Sequence, residues 1–217
     1  MNRITTALVL LLLLASLGSG QHVARPFTEA KGLPGVNDSS HFKFSTARFK
    51  YEVSKEGRGK RTGGDVPASN FNLRLESNVY LDRAIYHAEY EGDLLLICEV
   101  SDGDYGSGFI TRLDGRTLRM KWKRIIPAFN VGQGLIEDQY AYVTGIGFIG
   151  KVNLESGAFL WQHNDLYRRH KHAFNSFELP EIRGNRVIFR ESKDDYREKV
   201  ATIRVEKRSG RIIRLDV

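Results

Sequence analysis

Lys151 to Trp161 reads KVNLESGAFLW: a strand, a tight turn, and a second strand that ends on a large aromatic. Taken alone, such a turn could carry an active site or be one tile of a repeated wall, and the surrounding sequence decides for the wall. The segments YEGDLLLI, IEDQYAYV and IRGNRVIF each join an apolar residue, a polar turn and a hydrophobic strand. They begin at Tyr90, Ile136 and Ile182, 46 residues apart each time. The tripeptide Ala128-Phe129-Asn130 returns 45 residues later as Ala173-Phe174-Asn175. Downstream, each copy continues as a strand, a turn and a last strand: GFITRLDGRTLRMKW, GFIGKVNLESGAFLW and KVATIRVEKRSGRIIRL. The unit is four short strands in about 46 residues.

A unit of this size cannot bury both faces of its sheet alone, and stacking such units as propeller blades does so. That explains why DLLLIC, from Asp93 to Cys98, is almost continuously apolar. The expectation is an all-β, propeller-like array of four-stranded antiparallel blades, with repeats near 80–126, 127–172 and 173–217. A β-sandwich with fortuitous likeness between strands is the alternative. Upstream, FKFSTARFKYEV and NFNLRLES alternate at period two, and SKEGRGKRTGGDVPAS between them reads as a flexible loop. The material from His41 to Ser77 is expected to form a fourth, irregular blade or a sheet over an exposed edge, giving one domain over 41–217. An open three-blade arc, completion by a second subunit, and a piece of a larger propeller are the other options.

The opening stretch resembles the tryptophan-docking motif of the PQQ-like (quinoprotein) β-propellers, close to A-x-D-x-x-T-G-x-x-x-W. Asn153, Ser156, Gly157 and Trp161 match it, with Lys151 at the alanine place. In the preceding unit Asp114, Thr117 and Trp122 match, and Leu118 replaces the glycine. In the last unit Glu206, Ser209 and Gly210 match, and Arg214 replaces the tryptophan. The resemblance implies that each tryptophan packs between blades, so these residues are structural. The glycines suit a turn that needs positive φ, and Asp114, Asn153 and Glu206 can accept hydrogen bonds from it. Quinoprotein dehydrogenases of the family hold calcium and the quinone on the axis of a larger propeller, often beside a disulfide. This chain has three recognisable units, a single cysteine and no matching cofactor segment, so no cofactor is expected. The family also includes non-catalytic propellers, among them bacterial periplasmic scaffold proteins.

The first segment, MNRITTALVLLLLLASLGSGQ, places Arg3 before an apolar run from Ala7 to Leu14 and then small residues. This is the layout of a secretory signal peptide over 1–20, with cleavage after Gly18 or Gly20. The run falls short of the roughly 20 apolar residues that cross a bilayer, and no cysteine follows it for a lipoprotein anchor. The expected location is exported, periplasmic or extracellular. Residues 21–40 read as a mobile arm, in which Asn37-Asp38-Ser39 fits a glycosylation acceptor. Cys98 is the only cysteine, so no internal disulfide forms, and it reads as a buried strand residue.

The formal charge is +7, and loss of Arg3 with the signal leaves +6 (7 minus 1). Basic surfaces favour acidic partners: another protein, an anionic polymer, or peripheral contact with an anionic membrane. No nucleic acid is expected for an exported chain. The charge is spread through RRHKH and KEGRGKR, as on an ordinary solvated surface.

Other motifs reduce to local structure. Gly145-x-Gly147-x-x-Gly150 has dinucleotide-fingerprint spacing, but KVNLESGAFLW follows where a helix is required, so the glycines read as a hairpin. His163, His170 and His172 are the candidates for a metal site, yet Arg168, Arg169 and Lys171 oppose a cation, and the segment reads as a solvated basic loop. Asp102-Gly103-Asp104 and Lys193-Asp194-Asp195 read as hairpin turns. The functional expectation is an exported, non-enzymatic propeller module that serves as a protein- or polymer-binding scaffold. The alternative, motivated by the basic surface and dispersed carboxylates, is a small secreted hydrolase or lyase acting on an acidic polysaccharide.

Overall fold

The computed structural model describes residues 23–32, 41–193 and 200–217; the signal-like segment, Asn37-Asp38-Ser39 and Asp194-Asp195 lie outside them. The chain begins with three two-residue strands, β1 (Arg25–Pro26), β2 (Thr28–Glu29) and β3 (Lys31–Gly32). An N-terminal sheet follows, built from β4 (His41–Ser45), β5 (Lys50–Ser54), β6 (Arg58–Thr62) and β7 (Ser69–Asn72). The first repeat supplies β8 (Tyr80–Tyr90), β9 (Asp93–Ser101), β10 (Gly106–Leu113) and β11 (Met120–Ile126). The second supplies β12 (Leu135–Glu137), β13 (Tyr140–Gly145), β14 (Phe148–Asn153) and β15 (Phe159–His163). A short helix, α1 (Leu166–His170), leads to β16 (Glu181–Arg183), β17 (Arg186–Arg190), β18 (Thr202–Glu206) and β19 (Ile212–Asp216).

Each repeat is an antiparallel up-and-down sheet of four consecutive strands, and the N-terminal segment makes a fourth sheet of the same kind. The molecule is an all-β, propeller-type stack of sheets, not a two-sheet sandwich. Three apolar clusters fill the three gaps between successive sheets. Strand β9 shows why the apolar runs are continuous. Leu94, Leu96 and Cys98 enter the cluster shared with the N-terminal sheet, whereas Leu95 and Ile97 enter the one shared with the second blade. The end sheets alternate instead. Strands β5 and β6 are buried on one face only, and the last blade buries Val187, Phe189, Ile203 and Val205. Charged side chains occupy the outer faces of both of these sheets.

Three sequence expectations are corrected. The loop expected over Ser54–Ser69 contains β6, paired with both β5 and β7. Its sequence, RGKRT, hides the strand because glycine and arginine occupy the buried positions: the Phe71 ring lies over Gly59, where a Cβ would come within 2.0 Å of it. The basic segment after His163 includes α1, only five residues long and too short for a helical period to register.

The arm expected to be mobile is ordered over Arg25–Gly32. Strand β1 pairs with β12, β2 with β8 and β3 with β4, so the arm crosses the first-strand edges of three successive sheets. The step is three residues per sheet. At about 3.3 Å per extended residue this spans about 10 Å, the usual distance between packed sheets. Phe27 and Ala30, between the steps, are buried in successive clusters. The arm thereby covers edges that would otherwise present unpaired backbone groups.

Cys98 is fully buried, and burial pushes its thiol well above the ordinary range. The thiolate is the reactive form, so the native protein is expected to leave an aromatic disulfide reagent unconsumed at pH 8, with one equivalent reacting only in denaturant. A fast native reaction would place Cys98 at an accessible surface.

Candidate functional site

The residues singled out by the repeat converge at the turns between the third and fourth strands of each blade. At these turns a side-chain oxygen closes the loop. Asp114 Oδ1 accepts from the Thr117 amide at 2.7 Å and its hydroxyl at 2.8 Å. These bonds hold the Asp114 carboxyl down to about 2. Asn153 Oδ1 accepts from the Glu155 and Ser156 amides, both at 2.9 Å, and from the Ser156 hydroxyl. Glu206 Oε2 accepts from the Ser209 hydroxyl at 2.5 Å. Four residues beyond each acceptor the backbone turns left-handed, at Leu118 (φ 57), Gly157 (φ 69) and Gly210 (φ 74).

Each tryptophan lies in the turn of the following blade. Trp122 Nε1 donates to the Leu154 carbonyl at 3.0 Å, and Trp161 Nε1 to the Lys207 carbonyl at 3.1 Å. Both indoles cover a glycine: a Cβ on Gly157 would sit 2.5 Å from Trp122, and one on Gly210 2.4 Å from Trp161. The glycines thus serve close approach as well as φ. No tryptophan faces the turn of the first blade, and there Leu118 keeps a side chain buried in the first cluster.

A second donor accompanies each tryptophan, and motif reading missed it. Arg112 Nη1 donates to the Leu154 carbonyl at 3.0 Å, and Lys151 Nζ to the Lys207 carbonyl at 3.1 Å. Arg112 and Lys151 stand opposite Trp122 and Trp161 in strand register. Arg61 stands at the same place in the N-terminal sheet, opposite Ser69. It donates to the Gly115 carbonyl at 2.5 Å and to the Arg116 carbonyl at 3.1 Å. Gly115, Leu154 and Lys207 each follow the acceptor residue of their turn. The same basic donor therefore reaches the same carbonyl across all three sheet interfaces. Its trace in the sequence is a basic residue two before each acceptor: Arg112, Lys151 and Arg204.

The first of these donors sits in a buried charge network. Arg112 Nε pairs with Asp93 at 2.5 Å and Nη1 with Glu155 at 3.0 Å, while Lys121 also reaches Asp93 at 2.6 Å. Burial pushes the Asp93 carboxyl up, but Lys121, the Gly115 amide and Arg112 outweigh it and hold it below the ordinary value. Burial, with Glu155 beside it, pushes the Tyr90 hydroxyl up to about 12.

The three histidines are separated. His163 Nε2 lies 2.7 Å from the Gly210 carbonyl, within the docking contact. His172 Nε2 pairs with the buried carboxylate of Glu191 at 2.9 Å, and His170 ends α1 in solvent. Among the described residues, no group of three or more His, Cys, Asp or Glu side chains is placed to hold a metal ion. Gly145, Gly147 and Gly150 belong to the β13–β14 hairpin, and Asp102-Gly103-Asp104 to the β9–β10 turn.

Two concavities, of about 900 and 580 Å³, open to solvent: the larger on the N-terminal sheet, the smaller where that sheet meets Thr28, Glu29 and His87 of the sheet of the first blade. The larger spreads over the outer face of the N-terminal sheet beside Glu52, Arg58, Lys60 and Asn70. The outer face of the last blade carries Arg183, Arg186, Arg190, Arg204 and Arg214 against Glu181, Glu206 and Asp216. Ile188 lies buried among these side chains, in register with Glu181, Arg204 and Arg214.

No protein-family model matches the sequence, and no curated protein does. Among solved structures, the chain is similar to a computationally designed protein, Ika8, at 12% identity and a TM-score of 0.51, over 80% of this chain and 48% of that one. It is also similar to the quinohemoprotein alcohol dehydrogenase ADHIIG of Pseudomonas putida HK5, at 13% identity and TM-score 0.43 over 58% of this chain and 19% of that one. Similarity to BamB from Moraxella catarrhalis is 11% identity at TM-score 0.37, over 78% of this chain and 61% of that one. The chain spans less than two thirds of each of these structures. At such identities the first likeness bears on fold alone, and the other two are too loose to carry an argument.

Proposed function

We propose that this chain is an exported, non-enzymatic scaffold of the PQQ-like propeller type that binds another protein. The observation that carries the reading is how the polar side chains are used. Arg61, Arg112 and Lys151, the buried cations at the docking positions, each join one sheet to the next. The outer faces of the N-terminal sheet and the last blade carry open, charged surfaces, which suit a macromolecular partner better than a small substrate. Export rests on the signal-like layout of residues 1–20.

The test is expression of the full chain with a C-terminal epitope tag in a bacterial host, followed by fractionation, intact-mass measurement and in-cell photo-crosslinking from exposed positions such as Tyr105 and Phe129. The expected result is a product shortened by 18 or 20 residues outside the cytoplasm, with a discrete protein adduct from some positions and none from others. A cytoplasmic product of full mass would overturn export. Uniform absence of adducts from all exposed positions would overturn protein binding.

A further inference from the structure

Resting on the protein-binding reading, we propose that the outer face of β16–β19 docks an acidic turn of a partner protein, received between Arg204 and Arg214. Arg204 stands in the last blade where Arg61, Arg112 and Lys151 stand in the others, and its register partner, Arg214, stands where Trp122 and Trp161 stand. At the three internal interfaces this donor position holds the turn of the next sheet, through the carbonyl that follows an Asp, Asn or Glu. The last blade presents the same position to solvent, with the side chains of Arg204 and Arg214 33% and 69% exposed.

The chemistry of the occupant follows from what has changed. An indole stacks on a glycine and donates one bond to a carbonyl. A guanidinium in its place offers a planar fork matched to a carboxylate. The chain itself illustrates this preference: the Asp216 carboxylate bridges both guanidiniums, accepting from Arg204 Nη1 and from Arg214 Nε at 2.5 Å. Asp216 thus fills part of the site from within, as a competitor that an incoming acidic turn displaces. Arginines outnumber carboxylates on this face, which adds long-range attraction for an acidic partner.

A second copy is the poorer occupant. Head-to-tail stacking would bring the outer face of the N-terminal sheet, with Lys43, Lys50, Arg58 and Lys60 against Glu52, onto another basic face. It would also bury charged side chains of both faces at a large desolvation cost.

The probe is a disulfide-closed hairpin peptide with the turn Asp-Asp-Glu-Ser-Gly, compared with its uncharged Asn-Asn-Gln-Ser-Gly counterpart by fluorescence anisotropy on the purified chain. The acidic hairpin is expected to bind at least about tenfold more tightly, through charge-assisted bonds to two arginines. Combined Arg204→Gln and Arg214→Gln should remove that advantage, while Arg58→Gln with Lys60→Gln on the opposite end should not. Asp216→Asn should strengthen binding of the acidic hairpin severalfold, a gain that loss of folding cannot produce. Equal binding of both hairpins, or an unchanged affinity in the Arg204 and Arg214 variant, would overturn the proposal. So would sedimentation showing a dimer that this variant abolishes, because a second copy would then occupy the face. A partner crosslinked in cells whose capture ignores Arg204 and Arg214 leaves the scaffold reading standing and removes this face from it.

Discussion

Trp161→Ala is expected to lower the free energy of unfolding by about 3–5 kcal/mol, the range for deleting a large buried aromatic. The indole sits at the centre of the joint between the second and third blades. It packs against Tyr142 and Phe189, with ring centroids 6.2 and 6.4 Å away, and covers Gly210 of the facing turn. It also donates to the Lys207 carbonyl. Alanine leaves a cavity and removes one of the two donors to that carbonyl, while Lys151 stays in place. The third blade packs against the second through a single apolar cluster, so the loss should concentrate there. Amide exchange over 181–216 should quicken more than exchange over 94–113, and guanidinium melts should shift to lower midpoint. Gly210→Val should approach the same effect from the other side, because its Cβ would overlap the indole and its φ of +74° disfavours a β-branched residue. A loss below about 1 kcal/mol for Trp161→Ala would mean that the blades are joined mainly by the aliphatic core.

How much of this architecture was legible depends on whether a feature writes itself into side-chain pattern. The repeat did, because a sheet buried on both faces needs runs such as Leu94–Cys98 with no polar interruption. The docking turns did too, because Asn153 to Gly157 needs an acceptor, a hydroxyl and a glycine at fixed spacing. The arm did not. Two-residue strands bond through their backbones, and Arg25-Pro26 or Lys31-Gly32 carries no alternation to read. Strand β6 was hidden because Arg61 takes the place of an apolar core residue, its Nη1 and Nη2 donating to two carbonyls of the neighbouring turn while its Nε is buried without a hydrogen-bond partner among the described residues. The recurring basic donor was present in the letters, but as a mismatch to the family motif: Lys151 at the alanine place. The letters show the mismatch repeating as Arg112 and Arg204, but only the contacts between sheets show that Arg112 and Lys151, with Arg61, do the same work at the three interfaces.

Arg112→Met is expected to cost about 3–5 kcal/mol at pH 7, because it leaves the buried carboxylate of Asp93 without its closest cation. Methionine fills much of the volume, so the loss reports charge rather than packing. Adding Asp93→Asn should recover part of it, since the uncharged amide needs no partner cation; a double-mutant cycle measures that coupling. The pH dependence has a definite sign. In the wild type the folded Asp93 carboxyl is held below its unfolded value of 3.8. Its contribution is therefore fully present above that value and disappears as pH falls through the depressed folded value. Without Arg112, burial is opposed only by Lys121 and the Gly115 amide, so the folded value rises and the contribution shrinks or reverses. The difference in stability between wild type and Arg112→Met should thus be largest near neutral pH and narrow towards pH 3. Denaturant melts at the two pH values decide this: a difference of equal size at both would show that Arg112 holds the interface through its bond to the Leu154 carbonyl, as Lys151 does at the next, and not through the carboxylate beside it.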